Sequence, residues 1–263
     1  KWLPSIAAGE VIGCFATAER PGVVTEGQVQ AKVEGGKLTG VKLPVTDGGA
    51  ADVAVVLAKD GGRTGLYLVE LSGEGVKREM LDTLDPTRGA ARLTFARAAA
   101  EALGEAGEGM ALTEAVMNRA AVLLAFEQVG GADRALEMAK GYALERYAFG
   151  RPIGSYQAIK HKLADIYIKN ELARSNAYFG AWALGSDGAA ELPVAAAAAR
   201  VSAGDAFWFA AKENLQTHGG MGFTWDVDCH LFYRRAQQLG LVAGGAKAWK
   251  ERLVSQLERR NVA

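Results

Sequence analysis

From Val23 to about Phe95 apolar and polar residues alternate with the period of two expected of half-buried strands. In QVQAKVE, Val29, Ala31 and Val33 alternate with Gln28, Gln30, Lys32 and Glu34; in GVKLPVTDGG the apolar positions are Val41, Leu43 and Val45. The Gly35-Gly36 pair of EGGKLTG predicts a hairpin between these runs. ADVAVVLA and GLYLVEL predict two more strands, separated by the turn-rich KDGGRTG. Pro44 cannot donate to a ladder, so its strand should lie at an edge or carry a bulge. The expectation is a small antiparallel β domain.

Beyond GEAGEGM, residues 104 to 110, the period becomes helical. Thr113 to about Arg146 carries an apolar stripe at Val116, Ala120, Leu123, Leu124, Ala135 and Met138, with Gln128 as the exception and Thr113 as N-cap without a capping box. Further helices are expected near 155–184 and 194–217, divided by GSDGAAELP, and from about Ala246 to Arg259. Four helices with short connections predict a bundle. The expected fold class is thus α+β, an antiparallel β domain over 1–107 followed by a four-helix bundle over 108–263. No internal repeat is found, and the alanine run 195–199 favours helix and close packing. KWLPSIAAGE has the character of a helix end, so a segment upstream of Lys1 is expected.

A chain of 263 residues, 49% apolar, can bury a sizeable core. Thirty basic residues balance thirty acidic ones, which leaves no net field to attract nucleic acid or an anionic membrane; a bound anion must be held by local groups. Cys14 and Cys229 lie far apart without metal-ligand spacing and are expected as buried free thiols in a reducing cytoplasm. No apolar run is expected to reach the roughly twenty residues of a membrane span, and the first residues lack the apolar stretch of a signal peptide.

His161, His218 and His230 show neither metal spacing nor a nearby elbow nucleophile, and are expected as hydrogen-bonding core or boundary residues. QTHGGMGFTW, residues 216–225, follows a helix and so is no dinucleotide fingerprint of the strand-turn-helix kind. Two readings stand for its glycines: backbone N–H groups brought close to an anion, with Gln216 and His218 as neutral donors, or a tight interhelical turn needing positive φ. ERYAFGRPIGSYQAIKHKLAD, residues 145–165, favours the first. Arg146 suits a phosphate in bidentate fashion, Phe149 a ring and Gln157 the polar edge of a heterocycle, although singly these are a surface arginine, a core phenylalanine and a solvated glutamine.

Together these two segments and YRRA resemble the flavoprotein acyl-CoA dehydrogenases, and CFATAERPG, GGKLTGVKLPVTDGGAADVAVVLA and LDPTRGAARLTF resemble that family's middle β domain. The resemblance implies an N-terminal helical domain, a β domain and a C-terminal bundle, of which this chain matches the last two. It implies tetramers with FAD between subunits. Ala16 and Thr17, with Val45 and Thr46 opposite, would lie along the flavin ring, while Arg146, Phe149, Gln157, Gln216, Gly219 and Gly220 would hold the adenosine and pyrophosphate end of a neighbour's FAD.

The family reaction takes the α-proton of an acyl-CoA thioester onto a carboxylate while the β-hydrogen leaves as hydride to the flavin, giving a trans-2-enoyl-CoA; an electron-transferring flavoprotein is the implied acceptor. At one family position for that base this chain has Ala243, and the other, about Asn118 to Ala121, holds no carboxylate. Glu114, Glu127 and Asp226 are expected to be structural, so the catalytic residue is left unassigned. TAERPGVV also departs from the family's TEPGAGSD-like run. Three readings follow: an active dehydrogenase with an unusually placed base; an FAD-holding subunit of a heteromeric dehydrogenase, as in the subgroup acting on steroids, whose partner supplies the base; and a flavin-free scaffold, against which Arg146, Phe149 and Gln216 argue.

Overall fold

The computed structural model describes residues 1–185 and 187–262. In chain order the elements are α1 (Leu3–Ala7), β1 (Gly13–Ala16), β2 (Lys32–Glu34), β3 (Lys37–Thr46), β4 (Val53–Asp60), β5 (Arg63–Glu70), β6 (Val76–Leu81), β7 (Ala90–Ala99), β8 (Glu101–Leu103), α2 (Gly109–Glu145), β9 (Tyr147–Ala148), β10 (Arg151–Pro152), α3 (Gln157–Ala183), α4 (Leu192–His218), α5 (Cys229–Leu241) and α6 (Ala246–Val262). They form two compact units, Lys1–Val116 and Met117–Ala263. The division falls inside α2, not in the glycine-rich stretch before it.

The first unit is an eight-stranded sheet in the order β6-β7-β3-β2-β4-β5-β8, with β1 beside β4. Its pairings are antiparallel except along one edge of β4, where β1 and the start of β2 run parallel to it. The hairpin expected between β2 and β3 is present, and Val29, Ala31 and Val33 are buried as their alternation predicts.

The inner face of β3 corrects the sequence reading. Leu38 and Lys42 turn inward, whereas Val41 is 37% exposed. The register shifts between Lys42 and Val45, so Val45 returns to the core across a bulge centred on the Leu43-Pro44 bond. The bulge expected from Pro44 therefore sits in an interior strand, between β7 and β2. Gly40 is required by close approach, since a Cβ there would lie 2.7 Å from the Ala31 Cα.

The second unit packs α3 and α4 against the rest of α2, with α5 and α6 on α4. The helix α5 was not anticipated: its residues stood out only as a motif beside the glycine loop. The face of α2 also differs from expectation. A buried row runs through Ala121, Ala125, Gln128, Ala132, Ala135, Ala139 and Ala143, with Val122 and Val129 buried beside it, while Leu123 is 64% exposed and Val116 also lies outside. Spacings of three and four make that alanine row a proper helical stripe. The large residues were mistaken for the core because close helix packing selects small ones. Thr113 is buried a full turn inside α2 and does not cap it.

One stretch of α2 reaches a mean hydropathy of 1.3, so by length and composition this helix qualifies as a membrane span, contrary to the sequence expectation. A third of that stretch is buried, and along α2 Ala121, Val122 and Ala125 pack into the bundle core. At the tightest point a Cβ on Gly131 would lie 2.5 Å from the buried Phe207 ring. Gly131→Ala is expected to destabilise the protein by about 1–3 kcal/mol through overpacking, read as a lowered denaturation midpoint; an unchanged midpoint would show that the ring yields freely.

Candidate cofactor site

In the β unit, Ala16 ends β1 and Thr17 follows it. Ala16 and Val45 have no exposed surface, and Thr17 is buried. The side chains of Ala16 and Val45 belong to the sheet core, so any ligand contact from these two positions must come through backbone. Thr46 is half-buried and ends β3.

Three hydrogen bonds join the segment after β1 to β3. The Leu43 N–H donates to the Ala18 carbonyl at 2.8 Å, and Lys42 Nζ donates to the Thr17 carbonyl at 3.2 Å. Lys42 also donates to Glu19 Oε1 at 2.8 Å, and the same carboxylate accepts the N–H groups of Gln30 and Ala31 at 2.9 and 3.0 Å. Burial alone would raise the pKa of Glu19, but the bonds from Lys42 and these backbone donors hold it below the usual value. Burial pushes Lys42 down, and Glu19 opposes that shift. Reasoning from sequence missed this pair, although a lysine two residues after Gly40 on the Leu38 face was a usable signal.

In the helical unit, the end of α2 passes directly into a small hairpin. The Arg146 N–H donates to Tyr142 O and its carbonyl accepts the Ile153 N–H, both at 2.8 Å. Ala148 pairs with Arg151 across a two-residue turn in which Phe149 and Gly150 have φ of 52° and 81°. Two positive values define a type I′ turn, which suits Gly150 but strains a bulky Phe149. The Tyr156 hydroxyl braces this turn by donating to Ala148 O at 2.9 Å, with the Arg151 guanidinium 4.1 Å over its ring. Phe149 is left 95% exposed, not in the core. Gln157 opens α3 and is exposed.

Two contacts bring the end of α4 to this place. Tyr142 stacks on His218 with ring centroids 4.2 Å apart, and Lys162 pairs with Glu213 at 2.9 Å. Arg146, Phe149, Gln157, Gln216, Gly219 and Gly220 therefore share one end of the bundle. Gly219, at φ 60°, ends α4 and donates its N–H to Gln216 O, so the turn reading accounts for it. Gly222 is fixed by packing, because a Cβ there would lie 2.5 Å from Leu215 O. Gly220 is exposed with nothing within 4 Å of a Cβ, and it supplies the bare backbone a ligand could approach. Gln216 borders a cavity of about 310 Å³ that Lys212, His230 and Arg234 also line. Exposed donors, a cationic rim and one free aromatic ring suit the adenosine and pyrophosphate of FAD.

His218 donates its Nδ1–H to Asn214 O at 2.9 Å and His230 its Nδ1–H to Val227 O at 3.0 Å, the structural hydrogen bonds expected of them, whereas His161 is exposed. Both cysteines are free, and burial pushes their thiols up to about 11, so neither is a ready nucleophile. Among the described residues no group of three metal-ligating side chains occurs.

Ala243 stands in the turn between α5 and α6 at φ 59°. Trp249 Nε1 donates to its carbonyl at 3.0 Å. Arg200, 4% exposed, donates to Val242 O at 2.7 Å, to Leu239 O and, at 2.6 Å, to Gln128 Oε1. Burial brings this guanidinium down to about 10, with Glu127 opposing the shift. Arg252 lies 4.6 Å over the Trp249 ring and donates to Asn118 Oδ1 at 3.1 Å. The two regions where a base was sought, Ala243 and Asn118, are thus bridged through Trp249 and Arg252. Glu127 is engaged elsewhere, with Arg235 at 2.8 Å.

A sheet followed by a close-packed helical bundle is the architecture of a flavoprotein dehydrogenase. Superposition on a variant of the steroid ACAD Tcur3481-Tcur3483 gives a TM-score of 0.85 at 28% identity, covering 100% of this chain and 71% of that one. Residues 107–256 match the family described as acyl-CoA dehydrogenase, C-terminal domain. The chain belongs to the acyl-CoA dehydrogenase family, whose members are FAD-dependent oxidoreductases. It is 41% identical to the acyl-CoA dehydrogenase IpdE2 of Mycobacterium tuberculosis over 59% of this chain and 43% of that protein. It is 32% identical to an acyl-CoA dehydrogenase of Bacillus subtilis over 93% of this chain and 68% of the relative. The chain therefore spans less than half of the first of these relatives.

Proposed function

We propose that this chain holds FAD and takes part in the α,β-dehydrogenation of an acyl-CoA thioester to the trans-2-enoyl-CoA. The observation that carries the reading is the convergence of Arg146, Phe149, Gln157, Gln216 and Gly220 on one bundle end, where family resemblance puts the adenosine and pyrophosphate. Arg146 would meet phosphate oxygens in bidentate fashion, Phe149 would cover a ring, and Gln157 and Gln216 would fix polar edges. When bound, FAD supplies the hydride acceptor. Thr17 and Thr46, with the backbone at Ala16 and Val45, would border the flavin ring.

A second reading is favoured by Ala243 and Asn118: the chain is one half of a heteromeric dehydrogenase whose partner contributes the carboxylate. An alanine cannot take a proton, and Arg252 stands beside the other position. Steroid thioesters are the substrate class supported by likeness to the steroid ACAD, with fatty acyl-CoA as the alternative. Assembly into a tetramer is supported by Phe149 and by the exposed apolar stripe Ile168, Leu172, Phe179 and Trp182 on α3. The two free thiols fit a cytoplasmic protein, and an electron-transferring flavoprotein would reoxidise the cofactor.

Anaerobic mixing of the purified protein with acyl-CoA tests these readings. Flavin absorbance that bleaches with the chain alone supports an active dehydrogenase and ends the half-site reading. Bleaching only after a co-purifying partner is added supports the half-site, and colourless protein that takes up no FAD overturns both.

A further inference from the structure

The Lys42–Glu19 pair has no part in the chemistry proposed above, yet it is a costly feature. Lys42 is fully buried on the core face of the sheet, where an unpaired ammonium would be strongly disfavoured. Its bonds cross from β3 to the segment after β1. One goes to the carbonyl of Thr17 and one to Glu19, whose carboxylate in turn grips the backbone at Gln30 and Ala31. Glu19 is mostly buried as well. Three separate pieces of chain are thereby joined at one point: residues 17–19, residues 30–31 and β3.

Two of those pieces carry Thr17 and, three and four residues beyond Lys42, Val45 and Thr46. The bulge interrupts the ladder to β7 at Leu43 and Pro44, where the Leu43 N–H donates to Ala18 O at 2.8 Å instead, so backbone and Lys42 together tie this point to the segment after β1. We propose that Lys42 is a positioning residue, which with Glu19 holds the Thr17 and Thr46 segments at a fixed separation so that the slot for a flavin ring is formed before the cofactor arrives. This rests on the FAD reading of Thr17 and Thr46 and concerns the ring end alone. Preorganisation of this kind lowers the ordering cost of binding.

Lys42→Met alone leaves the Glu19 carboxylate buried without its cation and invites misfolding, so the decisive protein is the charge-neutral double variant Glu19→Gln/Lys42→Met. FAD and ADP are titrated calorimetrically into wild type and variant stripped of flavin. The expected result is FAD affinity weakened about tenfold, the cost of ordering the released segments on binding, with ADP affinity unchanged because ADP engages only the adenosine and pyrophosphate end. The spectrum of bound flavin should lose resolved structure at the same time. Unchanged FAD affinity overturns the proposal, and so does a parallel loss of FAD and ADP, which would mark a merely stabilising pair. Wild-type protein that binds neither nucleotide instead defeats the FAD reading itself.

Discussion

Replacing Ala243 with glutamate is expected to raise acyl-CoA-dependent flavin reduction by this chain about a hundredfold or more, the usual worth of a positioned general base. The turn needs no rebuilding to carry it. Ala243 already adopts φ 59° as a non-glycine residue, so a longer side chain adds little backbone strain. Arg200 caps the closing carbonyls of α5, and Trp249 fixes the Ala243 carbonyl. The position is half-buried, which leaves a carboxylate room to leave the backbone. Stopped-flow bleaching with flavin-loaded protein measures the effect. An A243E rate equal to the parent's would show that this turn does not face the α-carbon. A parent already fast without any partner would show that the base lies elsewhere in this chain.

Such a platform without its carboxylate marks how far the sequence alone was informative. Ala243 could be singled out because a motif interval reaches it, but the network that holds it could not. Arg200 and Gln128 are far apart in sequence, and Gln128 was set aside as a polar break in an apolar stripe when it is the buried partner of a buried arginine. The β hairpin, the bulge at Pro44 and most helix limits were legible because they depend on local chemistry: alternation, a missing N–H, and breakers. Faces were less so. On β3 and α2 the large apolar residues Val41 and Leu123 point outward, and Lys42 and the alanines point inward. In both cases a tertiary partner, Glu19 in one and a neighbouring helix in the other, overrides the rule that larger apolar side chains are inside. The parallel pairings along β4 join segments far apart in sequence and leave no local trace.

Arg146→Ala is expected to weaken FAD binding by about ten- to a hundredfold, since a charge-assisted contact with phosphate contributes roughly 1.5–3 kcal/mol. Its backbone anchors both ends of the β9–β10 hairpin, through Tyr142 and Ile153, and those bonds survive truncation of the side chain. The hairpin should therefore keep Phe149 where it is, and the melting temperature of the flavin-free protein should stay near that of wild type. This separates loss of a ligand contact from loss of structure. Because Arg146 would act at the pyrophosphate, ADP affinity should fall alongside FAD affinity, and the difference from wild type should shrink at high salt, which screens the phosphate contact. Equal flavin content in R146A and wild type after exhaustive dialysis would remove Arg146 from the site. Loss of FAD with ADP untouched would move it from the phosphates to the ring.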